Sequence, residues 1–164
     1  MPHTRPTTDL AREALFNIIQ NNLFFEEIKT LDLFGGTGCI SYELASRGVT
    51  DLTIIEKDAV MYEFIKKTSS MLSINNLKTV RMDVFKFIDE CNETFDFIFA
   101  GPPYALQTID QLPLLVAEKK LLKPGGWFVL EHTPRNNYEQ TPLYVTQRKY
   151  GTTVFSIFVN KAEQ

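Results

Sequence analysis

Apolar positions along this chain change period repeatedly between strand-like and helix-like spacing. Thr7-Thr8-Asp9 offers N-cap residues for a helix running to about Asn22, with Leu10, Ala14, Phe16 and Ile18 available for its apolar face. Lys29 to Phe34 (KTLDLF) is a short apolar run cut off by Gly35-Gly36-Thr37-Gly38, the pattern of a buried strand entering a tight turn. Ile40 to Arg47 follows as a helix, with Gly48 suited to the residue just past its end. The alternation continues with a strand over Leu52–Glu56, a helix over Ala59–Leu72, a strand over Thr79–Met82 and a short helix over Val84–Cys91. A strand over Phe95–Ala100 then stops at Gly101-Pro102-Pro103. A helix from about Thr108 to Leu122 ends in Lys123-Pro124-Gly125-Gly126, and Trp127–Glu131 is the next strand. Two alternating runs, Leu143–Lys149 and Thr153–Asn160, flank Tyr150-Gly151-Thr152 as a hairpin. Strand-helix alternation predicts an α/β domain with a doubly wound, mostly parallel sheet, and the terminal hairpin adds an antiparallel edge.

Length and composition narrow the class. The 164 residues are one domain's worth, and 44% hydrophobic with 23% charged residues is ordinary for a globular chain. Seventeen basic against twenty acidic side chains give −3 at pH 7, so contact with nucleic acid must be a local basic patch. Two cysteines and two histidines, with no ligand spacing among them, argue against a metal centre or a disulfide framework. There is no apolar run of membrane-spanning length and no signal-peptide core, so the chain reads as soluble, reduced and cytoplasmic.

In such sheets ligands sit beyond the carboxyl ends of the strands. At the first end stand Asp32 and the glycines Gly35, Gly36 and Gly38, which let the backbone turn sharply and approach a ligand closely. Glu56, eighteen residues past Gly38, ends the next strand and can accept both hydroxyls of an adenosine ribose. A dinucleotide fingerprint wants a third glycine where Ser41 stands. Asp32 decides further: a carboxylate there suits the cationic end of S-adenosylmethionine, directly or through water, and repels a pyrophosphate. Asp83 either accepts from the adenine amino group, with the Val84 amide beside it for a ring nitrogen, or caps the helix that follows. Both roles are compatible. Gly101-Pro102-Pro103-Tyr104 is a rigid turn with an aromatic able to stack on a base. Such a loop can hold an exocyclic amine in line with a methyl sulfonium. His132, a lone histidine without an acid partner, reads as structural.

These motifs, in this order, resemble the RsmD-type 16S ribosomal RNA guanine-N2 methyltransferases. The similarity is carried by Arg5-Pro6-Thr7-Thr8-Asp9 with Arg12–Asn17, Leu31–Gly38, Ser46-Arg47-Gly48, Glu56-Lys57-Asp58, Phe95–Phe99, Pro102-Pro103-Tyr104 and Arg148-Lys149-Tyr150-Gly151. It implies a class I methyltransferase fold in a single domain with a seven-stranded sheet, S-adenosylmethionine as donor, and a guanine of 16S ribosomal RNA or the small subunit as substrate. Arg5, Thr7 and Arg12 are the candidate RNA contacts and Gly101, Pro102, Pro103 and Tyr104 the candidate catalytic residues, and the chain is expected to act as a monomer. Two departures stand out. The family has Asp before the two prolines, as acceptor for the target amine, where this chain has Gly101; losing one preorganised group of that kind costs about 10²–10³ in rate. The family also carries a basic, glycine-containing segment ahead of the arginine that corresponds to Arg5. The alternatives are a ribosome-associated, cofactor-binding domain with little catalysis, an adenine-N6 methyltransferase using the same loop, and an NAD-linked oxidoreductase.

Overall fold

The computed structural model describes residues 8–161. Its element order is α1 (Asp9–Gln20), a 3₁₀ turn (Phe25–Glu27), β1 (Lys29–Asp32), α2 (Cys39–Ser46), β2 (Asp51–Ile55), α3 (Ala59–Met71), β3 (Leu77–Val80), α4 (Val84–Glu90), β4 (Phe95–Ala100), α5 (Gln111–Glu118), β5 (Leu122–His132), β6 (Tyr144–Tyr150) and β7 (Thr153–Val159). The seven strands form one sheet in the order β3-β2-β1-β4-β5-β7-β6. The five strands β1 to β5 pair in parallel, and β7 joins β5 antiparallel. The last strand therefore lies inside the sheet, and β6 forms the edge. That is why β7 is buried on both faces from Thr153 to Phe158 despite its alternating sequence.

Two apolar layers sandwich the sheet. One gathers Ala11, Leu15, Phe16 and Ile19 of α1 and Ile40 and Leu44 of α2 against Phe97, Phe99, Val129, Phe155 and Ile157. The other packs Val84, Ile88, Leu112 and Val116 of α4 and α5 on Ile98, Ala100, Phe128, Leu130 and Phe158. Side chains alternate across a strand, so Phe97 and Phe99 face one layer while Ile98 and Ala100 face the other.

Several boundaries differ from the sequence reading. The buried stripe of α1 runs through Ala11, Leu15 and Ile19, and Leu10 is 74% exposed, because Thr8 sets the helix start by accepting from the Ala11 amide at 3.2 Å. β3 lies two residues earlier than expected. Helix α5 is shorter, stopping where Lys120 adopts a left-handed φ of 53° and the Leu121 amide closes back on the Val116 carbonyl at 3.1 Å. This is a Schellman ending made without glycine. Ser73, at φ 60°, ends α3 the same way, whereas Gly48 at φ 112° ends α2 as its sequence predicts. The segment Lys123-Pro124-Gly125-Gly126, expected to be a connection, is an irregularity inside β5: Phe95 pairs with Leu122, but Phe97 already pairs with Trp127.

Gly126 makes that irregularity possible. A side-chain carbon there would lie 2.9 Å from the Lys123 carbonyl oxygen, 3.0 Å from that of Phe95 and 3.2 Å from that of Asp96. All three are backbone atoms that a rotamer change cannot move. Gly126→Ala is expected to destabilise the protein by about 2–3 kcal/mol in urea titration, the range of an overpacked core. A loss under about 0.5 kcal/mol, the scale of an ordinary surface substitution, would show that the β5 backbone yields freely.

Candidate active site

The carboxyl ends of β1, β2, β4 and β5 converge on one side of the sheet, and register sets what stands beside what. Asp32 closes β1 opposite Phe99 of β4, and the Leu33 amide donates to the Phe99 carbonyl at 2.9 Å. The cofactor loop and the Gly101-Pro102-Pro103-Tyr104 loop therefore leave neighbouring strands within two residues of each other.

Asp32 is 2% exposed. Its Oδ2 accepts from the Ser41 hydroxyl at 3.2 Å, and its Oδ1 is buried without a hydrogen-bond partner. Burial raises the carboxyl pKa well above the ordinary range; the Ser41 bond opposes the shift and the charge of Glu56 adds to it. Ser41, which takes the place of a third glycine, thus anchors the carboxylate. The sequence reading missed that role, and its only signal was a hydroxyl one helical turn beyond the glycines.

The glycines divide the work. Gly36 (φ 55°) and Gly38 (φ 86°) occupy left-handed backbone that disfavours other residues. Gly35 instead allows close packing, since a side-chain carbon there would lie 2.3 Å from Ile54 Cγ2. Glu56 braces the turn: its Oε1 accepts from the Gly36 amide at 2.8 Å and its Oε2 from the Asp58 amide at 2.9 Å. Asp83 caps α4, with Oδ2 accepting from the Phe85 and Lys86 amides at 2.9 and 3.2 Å. Both bonds use Oδ2, so capping leaves Oδ1 able to accept from a base, and the Val84 amide lies in the first turn of α4, where helical donors lack intrahelical partners. An orphaned buried carboxylate oxygen beside an open glycine turn, with a second carboxylate across it, matches the amino group and ribose of S-adenosylmethionine.

Beyond Pro102 the chain opens on a cavity of about 710 Å³. Its lining includes Pro102, Pro103, Tyr104, Leu106, Glu131, Arg135 and Asn136. Asp110, which also lines it, accepts from the Tyr138 hydroxyl at 2.7 Å and from Asn136 Nδ2 at 3.4 Å. The Pro103 carbonyl is engaged by the Leu106 amide at 3.1 Å. Tyr104, in the same lining, is 58% exposed. His132 is held in place: its Nδ1 donates to the Thr133 carbonyl and its Nε2 accepts from Ser156, both at 2.7 Å. Burial lowers its pKa, favouring this neutral form.

Among the expected RNA contacts and the other basic side chains, Arg5 and Thr7 lie outside the described residues. Arg12 bonds Asp9 at 2.9 Å and lies 3.9 Å from Glu43, linking α1 to α2. Lys119 and Lys123 pair with Asp89 and Asp96, and Asp96 starts β4 at the end of the sheet remote from the cavity. Arg148 and Lys149 are exposed on the edge strand next to the hairpin turn. Among the described residues no group of three or more His, Cys, Asp or Glu side chains could hold a metal ion, and no helix is long and apolar enough to cross a membrane.

Residues 1–159 match the family described as conserved hypothetical protein 95. Ribosomal RNA small subunit methyltransferase D of Buchnera aphidicola subsp. Baizongia pistaciae is 30% identical, over 95% of this chain and 81% of its own. Its Haemophilus influenzae namesake is 28% identical, over 91% and 78%. Among solved structures, a hypothetical protein of Thermus thermophilus superposes with a TM-score of 0.83 at 27% identity, covering 94% of this chain and 87% of that one. A 16S rRNA N2 methyltransferase (RsmC) of the same species, in complex with AdoMet and guanosine, has a TM-score of 0.74 at 22% identity, over 94% and 44%. At that identity the likeness is one of fold, and the fold is that of class I methyltransferases. The match across nearly the whole chain, on a sheet that presents Asp32, Glu56 and the Pro102-Pro103 turn at one end, places this chain in the RsmD family of methyltransferases, with S-adenosylmethionine as its cofactor.

Proposed function

We propose that this protein methylates the exocyclic N2 of a guanine in 16S ribosomal RNA, acting as a monomer on the small subunit or its RNA in the cytoplasm. The observation that carries the reading is the Gly101-Pro102-Pro103-Tyr104 turn, set two residues past the strand position opposite Asp32 and opening on a cavity with room for a nucleotide. Relatives named ribosomal RNA small subunit methyltransferase D support the substrate class.

S-adenosylmethionine, when bound, supplies an electrophilic methyl group on a sulfonium. The protein's own residues bind and orient. Asp32 accepts from the cofactor's ammonium group, which relieves the cost of its buried charge. Glu56 takes the ribose hydroxyls, and Asp83 and Val84 frame the adenine. The lone pair of a guanine amine is delocalised into the ring, so positioning counts for more than proton removal. The Pro102 carbonyl, which cannot be drawn into a helix past Pro103, accepts one amine hydrogen, and Tyr104 stacks on the base. Arg5, Thr7 and Arg12 are the proposed RNA contacts of the N-terminal segment, and Arg135, which lines the cavity, with Arg148 and Lys149, exposed on β6, are further basic side chains offered to the RNA.

The test is methyl transfer from labelled S-adenosylmethionine to small subunits purified from cells lacking this modification, followed by nucleoside analysis. N2-methylguanosine is the expected product. N6-methyladenosine would move the enzyme to the other base, and no label despite cofactor binding would leave a ribosome-associated binding domain.

A further inference from the structure

The parallel register of β4 and β5 pairs Ala100 with Leu130, so Gly101, the first residue past β4, comes beside Glu131, which β5 still holds in register with Phe155 of β7. A side-chain carbon at Gly101 would lie 3.5 Å from Glu131 Oε1. The Glu131 carboxylate therefore reaches the space beside Gly101 where a longer residue would project, and both Glu131 and Pro102 line the cavity.

We infer that Glu131 is the side-chain acceptor of the methylation site, supplying from β5 the carboxylate that Gly101 does not supply from β4. The inference rests on the guanine-N2 reading above. Guanine presents two adjacent donors, N1–H and the N2 amine, and a carboxylate accepts from both. The second amine hydrogen then goes to the Pro102 carbonyl, which completes the bonding of N2 and leaves its out-of-plane lone pair facing the methyl group. As the N–C bond forms, the C–S pair returns to sulfur, the developing positive charge on N2 faces the carboxylate, and the surplus proton leaves for water. The same arrangement selects the base. Adenine and cytosine place a ring acceptor beside their amine, and that lone pair would face the Glu131 oxygens.

The experiment is a double-mutant cycle over Glu131→Gln and Gly101→Asp, reading single-turnover methyl transfer to small subunits. Glutamine keeps the shape of the side chain, and melting curves check that all four proteins fold. Glu131→Gln is expected to slow transfer about 10²–10³-fold in the natural background, the cost of one preorganised group. The same change is expected to cost under about 10-fold once Gly101→Asp supplies a carboxylate from β4, because coupled groups are non-additive. A second readout needs no turnover: with S-adenosylhomocysteine bound, guanosine should bind more tightly than inosine, which lacks the amine, and Glu131→Gln should shrink the difference to the share that the Pro102 carbonyl supplies. Equal losses in both backgrounds, or an unchanged guanosine preference, would overturn the inference and make Glu131 a structural or RNA-contacting residue. Transfer only in the Gly101→Asp proteins would overturn it while the guanine-N2 reading stood. Cofactor binding without transfer in any of the four would overturn both.

Discussion

Asp32→Asn is expected to weaken S-adenosylhomocysteine binding about 10–100-fold while raising the melting temperature of the cofactor-free protein by a few degrees. The two effects share one cause. The carboxylate is buried, one of its oxygens has no partner, and its pKa is raised by that burial. A carboxyl whose folded pKa exceeds its unfolded value contributes stability at pH values below the unfolded pKa, and that contribution is lost as pH rises through the folded pKa. At neutral pH the cofactor-free protein therefore bears the cost of burying this carboxyl, either as a charge or by taking up a proton, and the amide removes that cost while keeping an oxygen for Ser41 to donate to. On the proposed reading, the cofactor's ammonium group is the partner that makes this carboxylate worth keeping. Calorimetric titration and melting curves between pH 5 and 8 check both halves. The stability gain should shrink as pH falls toward the ordinary carboxylate range. A variant that binds as tightly as the parent would remove Asp32 from the cofactor site.

Glu56→Ala is expected to reduce S-adenosylhomocysteine affinity by about 10²–10³-fold, the scale of losing two hydrogen bonds to a charged acceptor. Its oxygens already hold the Gly36 and Asp58 amides, so a slackened glycine turn is a second route to the same loss. A dideoxy analogue lacking both ribose hydroxyls separates the causes. If Glu56 binds the ribose, parent and variant should bind that analogue with nearly equal affinity. An equal loss for both ligands would limit Glu56 to bracing the loop.

Both predictions concern residues legible in the sequence, because a strand that ends in a carboxylate before a glycine turn is a local pattern. Helix ends followed the same rule where they obeyed common chemistry. Gly48 was readable as an ending, whereas Ser73 and Lys120 end helices in left-handed backbone that their residue types disfavour. The β5 irregularity was hidden for a similar reason. Lys123-Pro124-Gly125-Gly126 has turn composition, yet the Gly125 amide donates to the Asn160 carbonyl at 2.6 Å and the Asn160 amide to that of Gly126 at 3.0 Å, which stitches the segment into the sheet. Those bonds join positions far apart in the chain, and no window of local sequence contains them.

The site divides along the same line. Sequence by itself determined the strand-helix alternation, the glycine turn, the carboxylates Asp32, Glu56 and Asp83 and the Pro102-Pro103-Tyr104 loop, because each depends on the backbone and side-chain preferences of consecutive residues. Only the tertiary structure decided that Ser41 anchors Asp32, that β7 inserts between β5 and β6, and that Glu131 stands beside Gly101. Strand pairing places residues thirty positions apart in contact through a register set by the burial of both sheet faces at once, a constraint that belongs to the whole core and to no single segment.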